Sequence, residues 1–91
     1  MKTTICKSKL YQKQVLRAPT HIRRKISFWI LEVSLHGIQE TRKRPGYHDE
    51  PLKGGRKGQR SIRLSHSYRL IYRELEAGIH IHLLEVNNHD Y

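Results

Sequence analysis

Glu50 stands directly before Pro51 at the end of a long glycine- and proline-bearing segment, Arg69 lies in the run Tyr68-Arg69-Leu70-Ile71-Tyr72, and His89 falls in His89-Asp90-Tyr91. A carboxylate can take a proton, a guanidinium is a permanent cation, and an imidazole titrates near neutrality and can give a proton back. Those are the three parts needed when a ribose 2′-hydroxyl attacks its adjacent phosphorus: a base, a cation for the extra negative charge and an acid for the leaving 5′-oxygen. Tyr91 adds a ring on which an unstacked base can lie. Composition alone favours a plainer reading, in which Glu50 is a solvated loop acid, Arg69 a sheet-face charge and the tail a frayed end.

Around these residues runs the densest cationic stretch, Lys53, Arg56, Lys57, Arg60 and Arg63, followed by Arg69 and Arg73. Gly54, Gly55 and Gly58 remove bulk between the long cations, so a phosphate backbone can approach the main chain while the charges surround it. The spacing is not that of a nucleotide-binding P-loop, which needs its Gly-Lys-Ser/Thr before a helix. The 7 histidines raise a metal question, with His80, His82 and His89 as the possible ligands. Their spacing fits zinc poorly, because strand histidines two apart are commonly polar-face residues and no cysteine joins them. The expectation is therefore neither metal nor any other cofactor.

The elements that must position these residues follow from patterning. Ser8 can cap a helix holding Leu10, Tyr11, Val15 and Leu16 that stops before Pro19. Thr20 can cap a second, in which Ile22, Ile26, Trp29, Ile30 and Val33 recur at helical spacing and Gly37 supplies a left-handed stop. From Gly37 to Gly58 turn formers dominate, leaving a long connection with at most a short helix over Ile38 to Lys43, and long connections usually carry function. Gln59–Leu64, Tyr68–Leu75 and Ile79–Val86 then read as three strands of an antiparallel meander. Alternation sends Ile62, Leu64, Tyr68, Leu70 and Tyr72 to one face and Ser61, Arg63, Arg69, Ile71 and Arg73 to the other. A short strand over Thr3 to Ile5 precedes the helices, so the expected class is α+β, two helices packed on a twisted antiparallel sheet, with residues 1–91 forming one domain.

Bulk composition limits the partners. With 18 Lys and Arg against 8 Asp and Glu, the net charge of +10 argues for a polyanion, nucleic acid or an acidic protein. No apolar stretch approaches a bilayer span and no apolar h-region follows Lys2, so a cytoplasmic location without membrane contact is expected. The single cysteine, Cys6, cannot close an internal disulfide and receives no role.

From Arg42 onward the sequence resembles the RelE/ParE superfamily of bacterial toxins, in particular the RelE/HigB-like mRNA interferases. The resemblance rests on Pro45-Gly46-Tyr47-His48-Asp49-Glu50-Pro51-Leu52-Lys53-Gly54, on Arg56 to Leu64, on Tyr68 to Tyr72 and on Glu85 to Tyr91. It is looser across the helices. It implies a toxin of a type II toxin-antitoxin system that cuts mRNA on the ribosome and blocks translation. Glu50 would be the base, Arg69 the group that stabilises the phosphorane, His89 the acid and Tyr91 the stacking ring. His48 and Asp90 are the substitutes, since relatives distribute acid and base differently. It further implies a cognate antitoxin whose acidic or hydrophobic segment covers the active face, and contact with ribosomal RNA. Two other readings remain at this level: a ParE-like protein that binds DNA gyrase without cutting RNA, and an RNA-binding module without activity.

Overall fold

The computed structural model describes residues 2–88. Ser8 starts the helical layer as the pattern requires: its hydroxyl oxygen accepts from the Tyr11 amide at 2.9 Å and caps α1 (Lys9–Arg17). The helix stops at Ala18, whose ψ of 147° is the extended conformation imposed on a residue before proline. The second helix, α2 (Thr20–Arg42), has Pro19 in the cap position with no side-chain cap, so Thr20 is its first residue and not its cap. Gly37 does break it, at φ 81° and ψ 162°, but a further helical segment continues directly to Arg42. Only glycine takes that φ without strain, which is why the pattern fades there while the helix resumes.

Five strands form one sheet in the order β1-β5-β4-β3-β2: β1 (Thr4–Lys7), β2 (Glu50–Pro51), β3 (Gln59–Arg63), β4 (Tyr68–Leu75) and β5 (His80–Asn88). The expected meander of β3, β4 and β5 is present and antiparallel. The sheet departs from a purely antiparallel one at β1, which pairs parallel with β5 because two helices intervene before the chain returns to the sheet. It also gains β2, a two-residue edge strand inside the segment read as a connection.

The core lies between the helices and one face of the sheet. Ile22, Ile26, Trp29 and Val33 of α2 meet Ile62, Leu70, Tyr72, Ile81 and Leu83, all nearly or fully inaccessible. Trp29 and Tyr72 stack tilted with ring centres 5.2 Å apart. The opposite face carries Ser61, Arg63, Arg69, Ile71 and Arg73, as alternation predicts.

One irregularity decides what β5 adds to that face. Ile71 pairs with Glu85 but Tyr72 pairs with Leu83, so Leu84 is an unpaired bulge residue. Strict alternation from Ile81 and Leu83 would turn Glu85 and Asn87 inward. The extra residue reverses the phase, burying Val86 in the core and leaving Glu85 and Asn87 on the outer face. The edge of β5 beyond β1 is satisfied by α1 and its cap: the Ser8 amide donates to Leu83 O at 3.0 Å, the Ser8 hydroxyl to Leu84 O at 2.8 Å, and the Val86 amide to Gln14 Oε1 at 2.7 Å. Buried backbone groups are thus paired where the strand ladder ends.

Gly78 makes the other demand on glycine. Its φ is 92°, and a Cβ there would stand 2.9 Å from Ile38 Cγ2, so the β4–β5 turn packs against the last segment of α2 only without a side chain.

Candidate active site

Register sets the site. Glu50 of β2 is the Cα partner of Ser61, Ser61 of Ile71, and Ile71 of Glu85, so one transverse row crosses four strands on the outer face. The next row along β4 sets Arg69 opposite Arg63 on one side and Asn87 on the other. Glu50, Leu52, Arg56, Ser61, Arg69, Ile71 and Asn87 line a cleft of about 240 Å³. Its floor is Ser61 and Ile71, 6% and 3% exposed.

The Glu50 side chain is exposed at the cleft edge, but its strand is anchored from within by its neighbours. The Tyr47 hydroxyl donates to Glu32 Oε1 of α2 at 2.7 Å. Burial and that bond push the Tyr47 phenol up to about 12. Asp49 has a fully buried side chain that accepts from Arg60 Nε at 2.6 Å and from the Tyr72 hydroxyl, with Arg42 Nε 3.8 Å away. Burial first, then the bond to Asp49, raises the Tyr72 phenol well above its ordinary range. Residues 47 and 49 therefore point into the protein, while His48, left-handed at φ 45° and exposed, and Glu50 face solvent.

Arg69 is held by the turn that joins β3 to β4. Its Nη1 donates to Ser65 O at 3.0 Å and lies 3.3 Å from Tyr68 O and 3.5 Å from His66 O. Among the described residues no carboxylate comes within ion-pair distance of it. A guanidinium oriented by carbonyls and not neutralised by an acid is a preorganised cation whose charge is available to an anion.

The remaining cations divide. Arg63 is exposed opposite Arg69, Arg73 lies farther along β4 on the same face, and Lys53 and Lys57 flank the exposed turn Gly54–Arg56. Arg56 joins the cleft, but pairs with Glu85 and donates to Gln59 Oε1 at 3.0 Å. Arg60, which sequence groups with the cationic face, is turned to the other side: parity places it with Ile62 and Leu64, and it neutralises the buried Asp49. The acid behind it was the missing signal, since a buried carboxylate requires a paired cation. Sequence reasoning also passed over Asn87, which reaches the cleft, and Glu85, which pairs with Arg56 beside it; both face outward only through the Leu84 bulge. The Leu83-Leu84 doublet interrupting an alternating strand is the trace that bulge leaves in the sequence.

His89 and Tyr91, assigned as acid and stacking ring, and the substitute Asp90 lie outside the described residues. Among the described residues no three of His, Cys, Asp and Glu converge as a group able to hold a metal, and no helix is long and apolar enough to cross a membrane. A larger groove of about 400 Å³ between α1 and α2, lined by Tyr11, Val15, Leu16, Ile26 and Ile30 among others, contains no acid and lies away from the Glu50–Arg69 cleft.

The architecture is the RelE-like α+β fold: a short first strand, two helices and a mostly antiparallel five-stranded sheet. Its solved counterparts are toxins of toxin-antitoxin systems. The chain is similar to a YoeB/ParE toxin from Agrobacterium tumefaciens, with TM-score 0.76, 20% identity and coverage of 97% of this chain and 100% of that one. It is equally similar to a chain of the E. coli DinJ-YafQ toxin-antitoxin complex, with TM-score 0.76, 20% identity and coverage of 97% and 93%. The YoeB dimer from Staphylococcus aureus gives TM-score 0.71 at 19% identity, with both chains covered over 100% of their length. No family model and no curated protein sequence matches the chain.

Proposed function

We propose that this protein is the toxin of a type II toxin-antitoxin system, a cytoplasmic endoribonuclease that cuts mRNA on the ribosome without a metal and so stops translation. The observation that carries this reading is the Glu50–Arg69 cleft, where a guanidinium fixed by main-chain carbonyls, without an acid partner among the described residues, shares one small hollow with a carboxylate. Attack of a 2′-oxygen on phosphorus forms the P–O2′ bond and breaks the P–O5′ bond, leaving a 2′,3′-cyclic phosphate and a 5′-hydroxyl. Glu50 takes the 2′ proton, Arg69 binds the phosphoryl oxygens as their charge grows, and His89 returns a proton to the 5′-oxygen. Tyr91 stacks on an unpaired base beside the scission point, while Arg63, Arg73, Lys53 and Lys57 follow the phosphate backbone.

The partner is an antitoxin that neutralises the +10 charge. Support for that pairing comes from the DinJ-YafQ and YoeB-YefM complexes, which contain toxins of this fold.

The test is induction of wild type, Arg69→Ala and His89→Ala in cells, followed by mapping of transcript 5′ ends. Wild type should arrest growth with cuts in phase with codons, and Arg69→Ala should lose both, with a rate reduction on the order of 10²–10³ in a reconstituted ribosome assay. Growth arrest by all three without phased cuts, together with inhibited supercoiling by DNA gyrase, sinks the nuclease reading.

A further inference from the structure

We propose that the Ser61 hydroxyl binds the phosphate that is cleaved, donating a hydrogen bond to a nonbridging oxygen and forming with Arg69 a two-donor cradle for the phosphorane. The proposal rests on the nuclease reading above and extends it to a residue that neither motif nor charge singles out. Ser61 sits at the middle of the transverse row, its Cα opposite Glu50 on one side and Ile71 on the other. It is 6% exposed, and it is a floor residue of the cleft that Glu50 and Arg69 border. Among the described residues its hydroxyl has no hydrogen-bond partner, whereas the hydroxyls of Ser8, Thr41, Tyr47 and Tyr72 all do.

The Ser61 hydroxyl oxygen is not among the buried polar atoms left without a partner, so it keeps contact with solvent at the cleft floor, and an oxygen of a bound phosphate can take the place of that water. On a strand whose neighbours face the core, an apolar β-former would serve a structural floor better, as Ile71 does beside it. The serine is accounted for if a ligand completes it. Facing residues of adjacent strands hold their Cβ atoms about 4.5–5.5 Å apart, so a phosphate whose 2′-hydroxyl reaches Glu50 lies above Ser61. A neutral donor suits that place. It meets charge that grows on the nonbridging oxygens as the P–O2′ bond forms, keeps its own proton throughout, and leaves proton transfer to Glu50 and the acid.

The experiment uses ribosomes programmed with a short message that carries either oxygen or a single sulfur, in each stereochemistry, at the cleaved phosphate. Ser61→Ala should lower kcat about 10–100-fold at unchanged KM, the loss typical of one such donor or somewhat less. In wild type, sulfur at one of the two nonbridging positions should slow cleavage, and Ser61→Ala should be nearly insensitive to that same sulfur, since the bond it weakens is already absent. Ser61→Thr, which keeps the hydroxyl on a good strand former, should recover most of the rate. Unchanged thermal melting of Ser61→Ala separates these effects from misfolding. Wild-type rates for Ser61→Ala, or a full sulfur effect persisting in it, overturn the proposal while leaving the nuclease reading intact. A wild-type protein that cuts no message on the ribosome removes both.

Discussion

At the scale of single residues the cleft separates cations that hold the fold from cations available to a substrate. Arg60 is committed to Asp49, and Arg56 to Glu85, while Arg69 is oriented by carbonyls that leave its charge in place. The distinction makes the choice of arginine testable. Lysine keeps the charge at position 69 but has no planar fork to grip two turn carbonyls and a phosphate together, so Arg69→Lys should retain RNA affinity and lose about 10–100-fold in cleavage rate in the ribosome assay. Glu85 restrains Arg56, a cation of the cleft lining. Releasing Arg56 with Glu85→Gln should tighten binding to a single-stranded oligonucleotide and steepen its salt dependence by roughly one released counterion, read from titrations at several salt concentrations.

Elements explain which residues meet, and there the sequence was only partly legible. Periodicity located both helices and the three long strands, because each has one buried face. It could not show β2, since two residues carry no period and this strand is held by its neighbours Tyr47 and Asp49 more than by its own pairing. Nor could it show the phase change at Leu84. Parity correctly put Ser61, Arg69 and Ile71 on one face, but the same rule carried past Leu83 turns Glu85 and Asn87 the wrong way. Asp49→Ala should strand the part-buried Arg60 guanidinium and the buried Tyr72 hydroxyl, costing about 3 kcal/mol and lowering Tm by about 10 °C in calorimetry. Deleting Leu84 should leave Val86 in the core and Glu85 and Asn87 on the outer face, because removing the bulge residue restores strict alternation after Leu83. Retention of a cooperative melting transition is the expected outcome.

For the whole molecule, three buried phenols set an alkaline limit on stability: Tyr47, Tyr72 and Tyr11, the last raised by burial alone. Tyr47 and Tyr72 have pKa values raised in the folded state, so the unfolded chain loses their protons first as pH climbs. Their contribution is complete below the ordinary tyrosine value near 10 and declines as pH rises from about 10 toward 12. Melts between pH 8 and 11 should be flat at first and then fall, by on the order of 1 kcal/mol per pH unit for each tyrosine. Phe at both positions should remove their share of that slope and leave the part that comes from Tyr11. Removing His89 to Tyr91 should leave the melting temperature of the remaining chain nearly unchanged while abolishing cleavage, because the core is built from residues 11–86. The site also lies at the rim of a sheet, and rims are where proteins recruit foreign strands and aggregate. Here that rim is β2, two residues long and ending in Pro51, which has no amide hydrogen to offer an incoming chain. The strand that presents the Glu50 carboxylate is therefore a poor template for fibril growth, and a protein with an open cleft on the outer face of its sheet can stay dispersed at high concentration.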